Sequence, residues 1–334
     1  MFNNDVKFSL WCDFIERDFL DNEFIKLINS NTINGATSNP AIFKSAFLTS
    51  PAYKSTIKEN ERRHEKQIYE ILAVQDIKIA ADRLIKNYAD DDDGFVSIEV
   101  DPNLCNDTQG TIEEGVRLFN TVMMPNVMIK IPATNAGFDA MSALMARGIP
   151  VNATLIFSPD QAIKCLDAFE SGAKEYQKKF PNTKTPKGVI SIFVSRFDRL
   201  LDGVMREKSL PTGQIGIMNA TKIYTIIQNR KLDNVRALFA STGVKGDDLR
   251  KDYYIRELMY ENSINTAPLD TIKAFLEQKS EPKKAVSEDS IEKFFEVVSR
   301  AGIDMNRVYK ELLSDGLKQF LQAYDDIMKA LKQE

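Results

Sequence analysis

The chain has 334 residues, enough for one large domain or two ordinary ones, and its 43% hydrophobic, 28% charged composition is that of a globular protein with a sizeable core. The 48 acidic and 44 basic residues leave a net charge of −4 with no basic stripe, which argues against a nucleic-acid partner. No apolar run approaches a membrane span, and the opening MFNNDVKFSLWCDF lacks the regions of a signal peptide, so a cytoplasmic location is expected.

The first strand candidate is FSLWCDF (8–14), where alternation puts Asp13 on one face and Cys12 on the other. The three cysteines (Cys12, Cys105, Cys165) form no CxxC pair, and an odd number argues against a disulfide framework, so reduced thiols are expected. INGATSN (33–39) is the second strand candidate. An extra helical stretch over 50–90 follows and carries the single histidine, His64, at a solvated position in ENERRHEKQIYEIL. One histidine rules out a His-based zinc site or a multi-imidazole aldolase metal site, and leaves little room for a Ser-His-Asp triad. Chemistry here must use Lys, Asp, Glu and hydroxyls.

Six further strand candidates follow: FVSIEV (95–100), VMIKIPA (127–133), VNATLIF (151–157), VISIFVS (189–195), VRALFAS (235–241) and SINTA (263–267). Helical patterns separate them. DQAIKCLDAFESGAKEY is preceded by Ser158 and Pro159, an N-cap and a first-turn proline. SEPKKAVSEDS (280–290) is the most loop-like segment. Two amphipathic stretches within 288–334 then read as terminal helices packed on the rest, a coiled-coil partner helix being the lesser alternative.

Eight strands each followed by helix predict one α/β domain over 1–334, a (β/α)8 TIM barrel with additional C-terminal helices. The competitor is a doubly wound open sheet, but no Gly-rich dinucleotide fingerprint follows the first strand.

In a barrel the outward face of each strand meets helices and is apolar. Val96, Ile98 and Val100 leave Ser97, Glu99 and Asp101 opposite; Val127, Ile129 and Ile131 leave Lys130; Val151, Ala153, Leu155 and Phe157 leave Asn152 and Thr154. The split is weaker in VISIFVS, where Ser191 and Ser195 share a face with Phe193. Glu, Lys, Asn and Thr are thus sent into an interior that ordinary barrels fill with branched apolar side chains. A lone inward Ser or Thr is ordinarily a satisfied core hydroxyl, and Glu99 with Lys130 reads as either a structural ion pair or a reactive one. Buried pairs are seldom retained for stability alone. A neutral lysine amine in a closed pocket is a nucleophile toward carbonyls, so Schiff-base chemistry is the sharper reading.

Taken together, GATSNPAIF (35–43), VSIEVDP (96–102), MIKIPAT (128–134) and GIPVNATLIFSPDQA (148–162) resemble the signature regions of the transaldolase family. LWCDFI, FVSRFDRLLD (193–202) and FASTGVK (239–245) fit in order, and the longer bacterial and plant-type branch is the nearer likeness. The resemblance implies a metal-free, cofactor-free class I enzyme acting on sugar phosphates, as a monomer or a homodimer. It would move a dihydroxyacetone unit from sedoheptulose 7-phosphate or fructose 6-phosphate to glyceraldehyde 3-phosphate or erythrose 4-phosphate. Lys130 matches the Schiff-base lysine, and Glu99 the acid that moves protons through a water near Thr154. Asp13 matches the carboxylate that takes the C4 hydroxyl proton. Thr37, Asn39, Asn152 and Ser191 match groups around the dihydroxyacetone unit, and Arg196 and Ser241 match phosphate contacts. A second arginine found in the better-known branch is absent from STGVKGDD, leaving Lys245 as the candidate for that charge. Two rivals stand beside this reading: a class I fructose-6-phosphate aldolase-like enzyme, which the chain length disfavours, and a non-catalytic sugar-phosphate-binding barrel.

Overall fold

Alternation of apolar and polar residues sets the strands, and each of the eight expected runs overlaps one. The computed structural model describes residues 2–332; 333 and 334, the end of the expected terminal stretch, lie outside the described residues. The strands are β1 (Ser9–Cys12), β2 (Gly35–Ala36), β3 (Phe95–Glu99), β4 (Val127–Pro132), β5 (Val151–Ile156), β6 (Gly188–Phe193), β7 (Val235–Ala240) and β8 (Ser263–Ala267). They pair in chain order, all parallel, and β8 closes on β1. This is the (β/α)8 barrel expected from the sequence, and the closed sheet excludes the open doubly wound alternative.

Parity holds along most of the wall. Leu10, Cys12, Val96, Ile98, Val127, Ile129 and Ile131 pack in the cluster between barrel and helices, each worth about 1.5–3 kcal/mol when fully buried as Val, Leu or Ile. Trp11, Phe95, Met128, Val189, Leu238 and Ile264 form the inner cluster. Below it the barrel is closed at the N-terminal ends of its strands. Trp11 Nε1 donates to Asp93 Oδ2 (3.0 Å), and Arg236 donates to Asp93 Oδ1 (2.7 Å) and to the Ser263 carbonyl (2.8 Å). Gly35 makes room for this floor, since a Cβ there would lie 2.4 Å from the Trp11 indole.

One strand breaks the expected alternation. Leu155 does not share the outward face of Val151 and Ala153. The β5–β6 register shifts between Ala153 and Ile156, and Leu155 takes a left-handed φ of 58°. The bulge sends Ile156 to the outer cluster and Leu155 to the inner one.

The stretch at 50–90 forms helices Lys54–Glu59 and Glu65–Ala89, with exposed His64 as the N-cap of the second. Ser158 caps Pro159–Lys179 through a reciprocal box with Gln161. Helices Glu288–Arg300 and Met305–Leu331 end the described chain. At about 1.5 Å per residue the last is about 40 Å long, and it packs on helices Pro40–Thr49 and Glu65–Ala89 of its own chain. The three cysteines are free. Among the described residues no helix is long and apolar enough to cross a membrane.

Candidate active site

The C-terminal ends of the strands surround a cavity of about 170 Å³ lined by Asp13, Thr37, Asn39, Lys130, Thr154, Ser191, Phe193, Arg196, Ser241 and Thr266, with Gln319 and Phe320 above. The lining residues from the barrel lie in or just beyond the C-terminal halves of their strands, which is where this fold presents chemistry.

Register brings the central pair together. Glu99 and Lys130 are direct partners across β3 and β4. Lys130 Nζ lies 3.2 Å from Glu99 Oε2 and donates to the Ser38 carbonyl at 2.9 Å. Both side chains are nearly sealed from solvent, at 6% and 3% exposure. The contact with Glu99 is an ion pair without hydrogen-bond alignment, and neither Glu99 oxygen has a hydrogen-bond partner; nor does the buried Thr154 Oγ1. Burial pushes the Glu99 carboxyl up to about 7, although the neighbouring Lys130 pulls the other way.

Asp13 follows β1, with Thr37 Oγ1 donating to its Oδ1 at 2.6 Å and Thr266 Oγ1 2.7 Å beyond. Burial raises its carboxyl above the usual aspartate value, against the opposing pull of Lys130 and Thr37. The two acids therefore sit in different surroundings, one against an ammonium and one held by a hydroxyl.

Asn39 Oδ1 accepts from the Ile42 amide, which fixes the start of the following helix and the side chain's place at the cavity wall. Asn152 is fully buried and bound on both sides: its Nδ2 donates to Ser97 Oγ (2.9 Å) and its Oδ1 accepts from Ser191 Oγ (2.7 Å). It braces the wall beside Lys130, its register partner, and is not among the lining residues, so the structure does not bring it to the cavity as expected.

At the other end, Arg196 is the second residue of helix Ser195–Glu207, and its Nε and Nη1 are buried without hydrogen-bond partners. Burial and the nearby Arg199 lower its guanidinium to about 10. Ser241 stands opposite with a left-handed φ of 55°, and its Oγ is 3.1 Å from Ser195 Oγ. Two buried N–H groups and a serine at a helix start suit a phosphate. Lys245 does not join them. It is exposed on the loop after β7, outside the cavity, just before Gly246 with its left-handed φ of 88°.

Sequence reasoning missed Thr266, Gln319 and Phe320. The inward parity of Thr266 in SINTA offered a signal. Nothing local marks Gln319 or Phe320, which reach the cavity only because the terminal helix crosses the mouth. Among the described residues no group of three His, Cys, Asp or Glu side chains is placed to hold a metal ion.

The arrangement defines a barrel with a lysine amine, two acids in unlike environments and a cationic end, a constellation suited to carbonyl chemistry on anionic substrates. The family model for transaldolase/fructose-6-phosphate aldolase matches residues 10–331. A protein named transaldolase from Campylobacter jejuni (strain 81-176) is 51% identical over 97% of this chain and 99% of its own length. Another of that name from Helicobacter pylori (strain Shi470) is 44% identical with the same coverage. A solved fructose-bisphosphate aldolase from Campylobacter jejuni covers 96% of this chain and 89% of its own at 13% identity and TM-score 0.37, too low to carry weight. The chain belongs to the transaldolase/fructose-6-phosphate aldolase family.

Proposed function

We propose that this protein is a transaldolase, acting through a Schiff base on Lys130 to move a dihydroxyacetone unit between sugar phosphates in the non-oxidative pentose phosphate pathway of the cytoplasm. The observation that carries the reading is the nearly sealed Lys130–Glu99 pair, whose lysine lines a cavity with a cationic far end. The names and near-complete coverage of the relatives support transfer rather than aldol cleavage alone. Both terminal helices pack on the rest of the chain and the last lines the cavity, which supports one domain.

Glu99 takes a proton from Lys130, and the freed amine attacks the C2 carbonyl of fructose 6-phosphate or sedoheptulose 7-phosphate. Glu99 returns a proton through a water beside Thr154, the carbinolamine loses its hydroxyl as water, and an iminium forms. Thr154 Oγ1 and the Glu99 oxygens, all lacking other hydrogen-bond partners, are the groups available to that water. The iminium draws electrons from the C3–C4 bond while Asp13 accepts the C4 hydroxyl proton. The first aldehyde leaves, and an enamine remains on Lys130. Erythrose 4-phosphate or glyceraldehyde 3-phosphate then accepts the enamine carbon, Asp13 returns its proton to the new hydroxyl, and hydrolysis frees the product. Arg196 and Ser241 hold the phosphate and place the aldehyde. Asn39, Thr37 and Ser191 orient the three-carbon unit, with Asn152 fixing Ser191 from behind.

Borohydride trapping with fructose 6-phosphate tests this. A reduced three-carbon adduct is expected on the Lys130 peptide and not in Lys130→Met. A folded protein that traps no adduct from either donor would overturn the reading. Turnover that depends on erythrose 4-phosphate separates it from an aldolase.

A further inference from the structure

The reaction proposed above leaves an enamine whose carbon can be taken by an aldehyde or by a proton, and only the first is transfer. Protonation at that carbon regenerates an iminium. Water then adds, the C–N bond breaks, and dihydroxyacetone leaves with the Lys130 amine restored. No oxidant or cofactor is needed, so the two routes differ only in which partner reaches the carbon first.

We infer that Phe320, on the terminal helix, is a positioning residue that decides this partition by keeping water off the Lys130 adduct. The inference rests on the Schiff-base reading. The ring centroid lies 5.7 Å from Lys130 Nζ, and Phe320 lines the same cavity while remaining buried at 5% exposure. It comes from 190 residues further along the chain, on the element that spans the mouth. Leu155, Phe193 and Ala240 belong to the same apolar cluster, and Phe193 and Ala240 line the cavity with it, so Phe320 adds to an apolar part of the wall around Lys130. An apolar cover removes water from a reactive intermediate without removing the polar groups that act on it. The ring face also favours a cation beneath it, which suits the iminium that precedes and follows the enamine.

The helix is fastened on either side of Phe320. One turn earlier, Gly316 lets it settle on the barrel, because a Cβ there would lie 2.8 Å from Leu155 Cδ2 and 3.4 Å from Arg196 Nη1. The β5 bulge that turns Leu155 inward thus provides the seat. One turn later, Tyr324 Oη donates to Asp101 Oδ2 at 3.2 Å, and its ring packs edge-on against Tyr69 at 5.3 Å. Asp101 lies two residues beyond Glu99, so the latch grips the segment that directly follows the strand bearing the proton-transfer group. A Lys44–Asp326 ion pair at 2.7 Å adds a further tie. The ring is held from both directions over the nitrogen.

The test compares wild type, Phe320→Ala, Phe320→Leu and Tyr324→Phe, using fructose 6-phosphate. Three quantities are measured: trapped Lys130 adduct, dihydroxyacetone released without acceptor, and transfer to erythrose 4-phosphate. Phe320→Ala is expected to form the adduct and to raise the release-to-transfer ratio by about tenfold or more. Phe320→Leu, which keeps apolar bulk, should stay within about threefold of wild type, and Tyr324→Phe should fall between the two variants. A ratio in Phe320→Ala within about twofold of wild type, with the adduct still formed, would overturn the inference and leave the Schiff-base reading intact. If Phe320→Ala does not fold, an unchanged ratio in Tyr324→Phe overturns it instead. Absence of adduct in wild type is the distinct result that removes both.

Discussion

Glu99 and Lys130 face each other across adjacent strands as direct register partners, and their charged atoms meet at 3.2 Å inside the barrel. Such a pair costs desolvation on both sides, and apolar residues of similar volume would often serve stability as well. In the proposed reaction its value lies in the proton that the two groups can exchange.

Glu99 can relieve Lys130 of that proton only when ionised, and burial holds its carboxyl up to about 7. Below that value the Glu99 carboxyl keeps its own proton and cannot free the amine for attack. A pH series should therefore show kcat/KM falling as pH drops below about 7, approaching tenfold per unit. Glu99→Gln should lose this bend and fall about 10²–10⁴-fold in activity. An unaltered bend in the Gln variant would assign it to another group.

In the proposed reaction Asp13 acts after the Schiff base has formed, so its removal should separate the two stages. Asp13→Asn keeps a partner for Thr37 Oγ1 but cannot accept the C4 proton. Trapping this variant with fructose 6-phosphate should give a six-carbon adduct on Lys130 where wild type gives three carbons. Turnover should drop by about 10²–10⁴.

Arg196 and Lys245 are expected to differ sharply. Charge-assisted hydrogen bonds are worth about 1.5–3 kcal/mol, so Arg196→Ala should lower kcat/KM for fructose 6-phosphate by about 10–100-fold. Unphosphorylated fructose should be much less affected. Lys245→Ala, at an exposed position outside the cavity, should stay within about twofold of wild type. Equal losses in the two variants would mean that the loop after β7 folds inward on the phosphate.

Gly35→Ala tests the floor rather than the chemistry. The added Cβ meets the Trp11 ring at 2.4 Å and has no flexible chain end to displace. Overpacking of this kind costs about 1–3 kcal/mol. Trp11 is the sole tryptophan, so its fluorescence in a urea titration reports the shift directly. A midpoint equal to wild type would show that the indole can move aside.

The barrel and much of the site were legible because both depend on alternation. Glu99, Lys130 and Thr154 stood out as polar residues on the inward side of otherwise apolar strands, and their motifs carried the resemblance. Leu155 defeated the same rule, since a bulge with a left-handed residue leaves no mark in VNATLIF. Asn152 pointed inward as expected, but alternation says nothing of how deep a residue sits or which neighbour has claimed its amide. Phe320 was invisible for a different reason. Its amphipathic stretch reads only as a helix seeking a surface, and which surface is decided by packing between distant segments. Lys245 looked plausible by charge and proximity in sequence, whereas a loop's direction is set by backbone turns such as that at Gly246.

The Trp11–Asp93–Arg236 floor has a kinetic meaning. A barrel stoppered at one end has a single door, so there is no through traffic. For the proposed reaction, the first aldehyde must back out past Phe320 and Gln319 before the second can come in by the same way. Donor and acceptor would then visit in strict alternation, giving parallel lines in double-reciprocal plots. A departing aldehyde that lingers would occupy the berth of its successor.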